Sequence, residues 1–433
     1  MRHSRRCALT LLLMPIWLLT ACAAAEAAPP FPLDSGALNV RDFGAKGNGR
    51  DDDTAALLAA IAAAGADTGA FFWRTRIVYL PAGTYLVSRP LVKRYADHRF
   101  GSGMILIGHS ASDTVIKLAD NSAAFGNADA PRGVVMTSAK LLDGNATSGG
   151  KDYANKGEGN DAYENFIEDL TIDVGHGNPG AIGIDYLANN IGAIRDVHVV
   201  APSDSGAIGI ALQRKWPGPA LLQRVSVDGF AVGIAVANTE YGITLDHVRL
   251  SGQRRVGLAN DGNAVAAADL TIFATGTAIA NVAPGGLVVL TGSTLRRGSE
   301  GAEALLNRGM VAAYGLSLEG FISPGGSPTQ LFGTLQGEQW RPRSPPFDVT
   351  LEDAPPVSDE PTARWVNVLR GVGAAGDGQD ITAALRQTLA SGAATIYLPY
   401  GRYTISDAIV VPATLRRFVG MNASITVRPV STT

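Results

Sequence analysis

The sequence predicts an all-β fold, a parallel β-helix (a solenoid of stacked turns) with an N-terminal capping helix. Short strand motifs rich in Val and Ile recur along the chain at intervals of 22 to 28 residues. Glycine is abundant, with 51 among 433 residues, and aromatic residues are scarce at 7%. This composition suits many short strands joined by tight turns. Two alternating strands at this interval match helical repeats poorly but fit one turn of a solenoid in which successive turns stack.

The first elements follow a Gly/Asp-rich stretch, NVRDFGAKGNGRDDDTAAL. Asp51–Thr54 places several side-chain oxygens before an alanine-rich run, which is the signal for a helix N-terminus. Ile77–Ser88 (IVYLPAGTYLVS) predicts two short strands around a Pro-Ala-Gly turn. Both signals return at residues 367–385 and 395–406, so the sequence predicts a second module of the same kind.

Two strand series alternate between residues 165 and 319, and the motifs of the first are separated by 27, 28, 23, 22, 23 and 23 residues. Because successive side chains of a strand point to opposite faces, the first series predicts outward columns of stacked residues. These columns hold Asp169, Asp196, Arg224, His247 and Asp269; then Thr171, His198, Ser226, Arg249 and Thr271; then Asp173 and Asp228. In the second series, three amides are predicted to stack as an asparagine ladder inside the turns: Asn260, Asn281 and Asn307.

The N-terminus has the pattern of a targeting segment. A basic start precedes a short apolar stretch, and Leu19-Thr20-Ala21-Cys22 resembles a bacterial lipobox, which implies lipidation of Cys22. We therefore expect an exported lipoprotein that a lipid at Cys22 anchors to the membrane of the cell envelope. The alternative is a secreted protein cleaved near Ala25-Glu26-Ala27 by an ordinary signal peptidase. In either case the mature chain keeps no free thiol for disulfide or metal chemistry.

These signals divide the chain into four predicted segments. They are the signal and tether (1–28), a first β-helix (36–335), a proline-rich linker (336–362) and the N-terminal part of a second, incomplete module (363–433). Charged residues make up 17% of the chain and the net charge is −3. Nothing in this balance suggests nucleic acid as a partner, and we expect a monomer.

The repeated motif FGAKGNGRDDDTAAL…IVYLPAGTY resembles the beginning of pectate lyase superfamily proteins, the rhamnogalacturonase/epimerase-like right-handed β-helices. Two copies around a proline-rich linker resemble the family 55 glycoside hydrolases, exo-β-1,3-glucanases with two β-helices side by side. The resemblance implies a right-handed parallel β-helix and a glycoside-hydrolase-like action on an extracellular polysaccharide. It also implies that the general acid glutamate belongs to the second helix, so this chain is expected to be incomplete and inactive alone.

Candidate catalytic residues follow from the outward columns. Inverting glycoside hydrolysis needs two carboxyls roughly 6.5–9.5 Å apart, and turns of a β-helix are about 4.8 Å apart. Asp173 and Asp228, two turns apart, are the predicted catalytic pair; the alternative is a solvated, self-compensating charged face. For a polysaccharide lyase or uronate epimerase, the nearest approximation is Arg224 between Asp196 and His247, with Ca²⁺ as the cofactor. Without lyase chemistry we expect no cofactor and no metal.

Candidate substrate-binding residues come from three segments that interrupt consecutive turns. Exposed aromatic rings beside amides and acids are typical of sugar sites, because a ring offers an apolar face and the polar groups bind hydroxyls. The alternative is ordinary turn packing. A non-catalytic glycan-binding or structural β-helix would suit these residues as well as an enzyme would. The predicted substrate-binding residues are Tyr186, Asn189, Asn190, Trp216, Glu240 and Tyr241.

Overall fold

The structure, a computed structural model, describes residues 30–65, 75–94, 100–139, 162–322, 331–343, 360–370 and 378–428. The targeting segment with Cys22 and most of the linker lie outside these ranges, so their assignments remain predictions. The described residues form an all-β parallel β-helix, which confirms the predicted fold class. No helix among them is long and apolar enough to cross a lipid bilayer.

Three parallel sheets run along the β-helix, and a typical turn contributes to each of them. The strands of sheet A are Leu38–Asn39, Ile77–Leu80, Ile105–Gly108, the first halves of Asn165–Asp173, Gly192–Val200 and Ala220–Asp228, then Ile243–Asp246, Ala264–Ala268, Leu287–Thr291 and the first half of Met310–Glu319. The strands of sheet B are Asn48–Asp52, Gly83–Val87, Thr114–Leu118, the second halves of the same long strands, Arg249–Ser251, Thr271–Ala274 and Thr294–Arg297. The strands of sheet C are Leu91–Val92, Arg132–Met136, Ala181–Asp185, Ile208–Leu212, Val232–Ala237, Val256–Asp261, Thr277–Asn281 and Glu303–Asn307.

A residue in the left-handed conformation turns the chain from sheet A into sheet B. L-residues other than glycine seldom adopt this conformation, although Asp and His tolerate it better than most. Each of these residues opens one of the periodic motifs, so the motif marks the corner of the solenoid. The corner residues, with φ between 50° and 80°, are Asp169, Asp196, Arg224, His247, Asp269, Gly292 and Gly315.

The interior is filled by the residues that alternate with the outward columns. Aliphatic side chains such as Ile167, Leu170 and Ile172 are fully buried there. The predicted asparagine ladder is confirmed, and it lies in the turns after sheet C. Asn260 Nδ2 donates to Asn281 Oδ1 at 3.0 Å, and Asn281 Nδ2 donates to Asn307 Oδ1 at 2.8 Å.

The predicted capping helix occupies Thr54–Ala64, and the α-helix of the second copy of the motif occupies Thr382–Ala390. Asp53 precedes the first helix but makes no side-chain capping bond; its carboxylate instead accepts the Gly47 N–H at 2.9 Å. Asp52 accepts the Thr54 N–H at 2.9 Å, as Asp380 does for Thr382 in the second copy. The aspartates therefore organise the loop before the helix as well as its first turn. Within the described ranges, short 3₁₀ helices occupy Val40–Phe43, Ala123–Phe125 and Thr362–Arg364.

The residues after the first solenoid form a cap and a small unit. Leu331–Gln336 pairs antiparallel with Met310–Glu319 and with Gln339–Pro342, so these strands cover the end of sheet A. The small unit, which we term the C-terminal unit (residues 360–428), contains the second α-helix and two three-stranded parallel sheets. Their strands are Val366–Asn367, Thr395–Leu398 and Arg417–Gly420, and Gln379–Asp380, Arg402–Ile405 and Ser424–Val427.

The C-terminal unit packs against the outer face of sheet A over its first turns. Tyr397 and Met421 are buried there in one apolar cluster with Tyr79 and Ile105. Asn422 Nδ2 donates to the Thr75 carbonyl at 2.6 Å, which joins the two units through the backbone as well. This contact covers the first turns of sheet A, whereas outer side chains of later turns remain exposed to solvent, as at Thr244 and Ala266.

Candidate functional site

Charged side chains gather on consecutive turns at the corner between sheets A and B. We term Glu168, Asp169, Asp196 and Arg224 the acidic corner. Glu168 lies beside Arg195 in the strand register, so Asp169 stacks over Asp196 on the next turn. Arg224 follows on the third turn, and its Nε and Nη2 each donate to one oxygen of Asp196 at 2.6 Å. The left-handed corner residues thus hold two carboxyls and one guanidinium side by side on the outer surface.

Asp169 is the perturbed acid of this group. Burial, followed by the negative charges of Asp196 and Glu168, raises the pKa of Asp169 to about 6 against the opposing charge of Arg224. Asp196 differs from it in its contacts, because both of its carboxylate oxygens accept hydrogen bonds from Arg224. The corner therefore holds a carboxyl with a raised pKa beside one that a guanidinium holds in place. A carboxyl that keeps its proton at mildly acidic pH is suited to general acid catalysis.

Beyond Arg224 the corner compensates its own charges. Gln223 Nε2 donates to Asp246 at 2.7 Å, and His247 Nδ1 lies 2.8 Å from the same carboxylate. His247 Nε2 lies 3.6 Å from Asp269. These contacts tie each charged side chain to a neighbour of opposite charge or to an amide.

The predicted catalytic pair, Asp173 and Asp228, lies on one outer column of sheet B. Val200 is the register partner of both, so they are two turns apart as expected. Lys117 Nζ lies 3.2 Å from Asp173, and His198 Nε2 lies 2.7 Å from Asp228. The hydrogen bond from His198 lowers the pKa of Asp228 more than burial raises it. Each carboxyl therefore has a basic side chain as a direct partner, which fits the self-compensating alternative better than a proton donor.

Ser251, Asp228 and His198 do not form a nucleophilic triad. The Ser251 hydroxyl donates to Asp228, and His198 lies on the other oxygen of the same carboxylate. A serine nucleophile needs the imidazole between the hydroxyl and the carboxylate, so that the ring can accept the hydroxyl proton. The order found here leaves the hydroxyl without a base.

Two of the predicted substrate-binding residues meet on the surface. The rings of Trp216 and Tyr241, from successive turns, pack edge to face with centroids 6.4 Å apart at 88°. The Lys215 ammonium lies 4.0 Å from the Trp216 ring centre. Tyr241 is 44% exposed. Glu240, which precedes it in the sequence, and Asn190 are also exposed. We term Trp216 and Tyr241 the aromatic rim.

The structure corrects the predicted substrate-binding role of Tyr186 and Asn189, because both side chains are buried. The Tyr186 hydroxyl donates to the Asn165 carbonyl at 2.6 Å, inside the turn. Below the rim, the buried Arg214 donates to Asp185 at 3.2 Å and to the Thr137 carbonyl at 2.6 Å. Tyr186 and Asn189 therefore support the turns from within and cannot contact a glycan on the surface.

The sequence placed Asp169 in the right column but did not identify it as a perturbed acid. Strand alternation shows which side chains point outward, but it cannot show how far neighbours on adjacent turns desolvate them. Strand register supplies that information, because it brings Glu168 and Asp196 beside Asp169. Among the described residues, no group of three or more His, Cys, Asp and Glu side chains is arranged to hold a metal ion.

Comparison with protein families gives one match that covers more than half of the chain. Residues 37–303 match the family described as rhamnogalacturonase A/epimerase, pectate lyase-like. The matched region begins at the first strand of sheet A and ends at the last strand of sheet C. It includes the acidic corner, the aromatic rim and the predicted Asp173–Asp228 pair.

Similar individual proteins share short segments or the general fold. Mannuronan C5-epimerase AlgE3 of Azotobacter vinelandii is 44% identical over 82 residues, which cover 19% of this chain and 4% of that protein. A probable glucan endo-1,3-β-glucosidase of Arthroderma benhamiae is 41% identical over 69 residues, 15% of this chain and 8% of that protein. The matched part of this chain thus spans only a small fraction of these curated relatives. Among solved structures, the GH87 α-1,3-glucanase of Streptomyces thermodiastaticus has 12% identity and a TM-score of 0.36 over 94% of this chain and 72% of that one.

Proposed function

The chain belongs to the rhamnogalacturonase A/epimerase, pectate lyase-like family, and we propose that it acts on an extracellular polysaccharide by acid–base chemistry at the acidic corner. The observation that carries the proposal is the stacking of Asp169 over Asp196 beside Arg224 on an exposed surface. The family is one of carbohydrate-active β-helix proteins, so a glycan is the expected substrate. Export to reach that glycan, with Cys22 as the anchor, is part of the same proposal.

The proposed reaction is glycosidic bond hydrolysis with Asp169 as the proton donor. Protonation of the leaving oxygen needs a carboxyl that still holds its proton near the working pH. Asp196 lies one turn away, about 4.8 Å along the solenoid, and Arg224 fixes its orientation. As the glycosidic bond breaks, a water molecule oriented by Asp196 adds its oxygen to the anomeric carbon and releases a proton to solvent, while the leaving oxygen keeps the proton from Asp169.

A second candidate is cleavage or epimerisation of a uronate polymer, favoured by the names of several relatives. They include mannuronan C5-epimerases and an alginate lyase of A. vinelandii, the latter 43% identical over 82 residues. Both reactions remove the proton beside a uronate carboxylate, and a nearby cation stabilises the resulting charge. Arg224 and Arg195 at the acidic corner would supply that cation. A third candidate, glycan binding without catalysis, is favoured by the aromatic rim.

The test is turnover of three polymers by the full chain: β-1,3-glucan, polygalacturonate and mannuronan. Hydrolysis releases reducing ends, a lyase produces unsaturated uronates that absorb in the ultraviolet, and an epimerase changes the proton NMR spectrum without chain cleavage. Asp169→Asn keeps the shape and the left-handed backbone but removes the proton donor, so we expect turnover to fall at least about a hundredfold.

The matched control is Asp269→Asn, which makes the same substitution at a corner residue three turns beyond Asp196. This variant should keep turnover within about twofold of the unmodified protein, because Asp269 pairs with His247, which lies outside the acidic corner. Equal loss in both variants would show that the substitution disturbs the corner backbone. Full activity in Asp169→Asn would refute its catalytic role, and glycan binding without turnover would favour the binding candidate.

A further inference from the structure

An arginine–phenylalanine–arginine stack lies on the outer face of sheet B. The guanidinium carbon of Arg249 lies 4.5 Å from the Phe273 ring centre, and that of Arg296 lies 5.2 Å from it. Phe273 and Arg296 are register partners on adjacent turns, and Arg249 comes from the preceding turn. The sequence predicts Arg249 in an outward column and gives no role for it.

The two arginines differ in their partners. Arg296 Nε donates to Glu319 at 2.7 Å, so a carboxylate already satisfies much of its charge. Arg249 is exposed, and within the described residues its guanidinium has no carboxylate or other acceptor within hydrogen-bond distance. Its stacking on Phe273 holds the guanidinium plane in one orientation while its N–H groups remain available. Arg249 is therefore an oriented cation with no direct ion pair among the described residues, although its charge is near enough to help lower the pKa of Asp228.

This stack lies close to the acidic corner on the same surface. Arg249 is two residues after the corner residue His247, and it shares its column with His198 and Ser226 on the two preceding turns. Asp196 is thus two turns away, about 10 Å along the solenoid. A glycan chain that reaches the acidic corner can therefore also reach the stack with a neighbouring sugar.

We propose that Arg249, Phe273 and Arg296 form a subsite for an anionic glycan, in which Arg249 binds a carboxylate or sulfate group and Phe273 packs against the sugar ring. Guanidinium groups bind planar carboxylates through two parallel hydrogen bonds, and they bind sulfate oxygens with similar geometry. A neutral glycan would leave the Arg249 charge unused. The inference deepens the proposed function and rests on it in taking a glycan as the ligand.

The experiment measures binding by calorimetry on the full chain carrying Asp169→Asn, which prevents turnover during titration. The probes are a trimannuronate and a trigalacturonate, a sulfated glucan trisaccharide, and the neutral laminaritriose. Arg249→Gln should weaken binding of the anionic probe at least about tenfold and leave binding of the neutral probe unchanged. Arg249→Lys keeps the charge but loses the planar fork, so its affinity should fall between the two. The uronate and sulfate arms identify which anion the site prefers.

The matched control is Arg255→Gln, an exposed arginine on the same turn that does not stack on Phe273. It should change the affinity for the anionic probe less than about twofold. Equal losses in Arg249→Gln and Arg255→Gln would reduce the effect to general charge attraction and overturn the subsite. Equal binding of neutral and anionic probes, or no binding of any anionic probe, would overturn it as well.

The two proposals fail in different ways. Asp169-dependent turnover of neutral β-1,3-glucan without uronate or sulfate binding would keep the proposed function and eliminate the anionic subsite. Arg249-dependent binding of an anionic probe without turnover of any polymer would keep the subsite and eliminate the catalytic role of Asp169.

Discussion

Individual corner residues combine a backbone role with a chemical one. Glycine adopts the left-handed conformation without a steric penalty, and it does so at Gly292 and Gly315. The earlier turns use Asp169, Asp196 and Arg224 at the same position, with φ near 50°. A left-handed arginine costs roughly 1 kcal/mol or more relative to glycine. Arg224 accepts this cost at the position where its guanidinium donates to both oxygens of Asp196.

The raised pKa of Asp169 makes a specific prediction for stability against pH. The folded-state pKa is about 6, above the ordinary value of 3.8. Between these two values the folded protein binds more protons than the unfolded chain. This group therefore stabilises the fold below about pH 4, and its contribution is lost as the pH rises to about 6. Asp169→Asn should flatten the decline in unfolding free energy over this range, as measured by urea unfolding at a series of pH values.

Asp269→Asn provides the comparison for that experiment, because it removes a carboxyl from an equivalent corner position. This variant should retain the decline between pH 4 and 6 that the unmodified protein shows. A decline of the same steepness in Asp169→Asn would mean that neighbouring charges do not perturb Asp169. The acid–base proposal would then lose its proton donor.

At the scale of elements, the sequence predicted the strands better than the contacts between turns. The corner motifs and the asparagine ladder were predictable because their signals repeat at fixed positions in each turn. The aromatic rim was predictable only in part: Trp216 and Tyr241 meet at the surface, but Tyr186 is buried. Whether the side chain of a turn residue points outward depends on its backbone conformation, left-handed or extended. The spacing of the strand motifs does not predict that conformation. The Arg249–Phe273 stack joins different turns, and only the strand register brings its members together.

The asparagine ladder predicts how strongly successive turns depend on one another. Asn281 is fully buried, accepts a hydrogen bond from Asn260 and donates to Asn307 and to the Gly286 carbonyl. Asn281→Ala leaves several of these buried groups without partners, each worth about 1–3 kcal/mol. We expect a loss of roughly 3 kcal/mol in unfolding free energy. Thr244→Ala on the exposed face of sheet A, which breaks no such network, should change it by less than about 0.5 kcal/mol.

Denaturant unfolding measures both variants, and hydrogen exchange shows where the loss acts. Because each turn of a solenoid contacts mainly its neighbours, exchange should rise first in the strands that flank Asn281. If Asn281→Ala lowers the unfolding free energy by less than about 1 kcal/mol, water must satisfy the polar groups that the ladder amide leaves behind.

In the whole molecule, the C-terminal unit covers a surface that the first β-helix would otherwise expose. Tyr79 and Tyr397 occupy the same place in the two copies of the repeated motif, and both are buried in the shared apolar cluster. Corresponding strands of the two copies therefore face each other across the contact. Asp34 adds a polar bridge, since it accepts hydrogen bonds from the Tyr397 hydroxyl and from Asn367. The contact reaches Phe166 on the strand that carries Glu168 and Asp169, whereas the aromatic rim and the Arg249 stack lie on later turns of the solenoid.

The contact between the two units can be broken by a single charge. Met421 is 4% exposed within the shared cluster, whereas Val427 is 69% exposed on the last strand of the same unit. Met421→Asp buries an unpaired carboxylate at the contact, so the C-terminal unit should detach. Hydrogen–deuterium exchange should then increase in residues 395–427 and in the facing strands Ile77–Leu80 and Ile105–Gly108. Val427→Asp adds the same charge at the surface and should leave exchange at those positions unchanged. Because the Arg249 stack lies on later turns, Met421→Asp should preserve Arg249-dependent binding. Loss of that binding in this variant, with strands 256–307 still protected, would show instead that the C-terminal unit forms part of the anionic subsite.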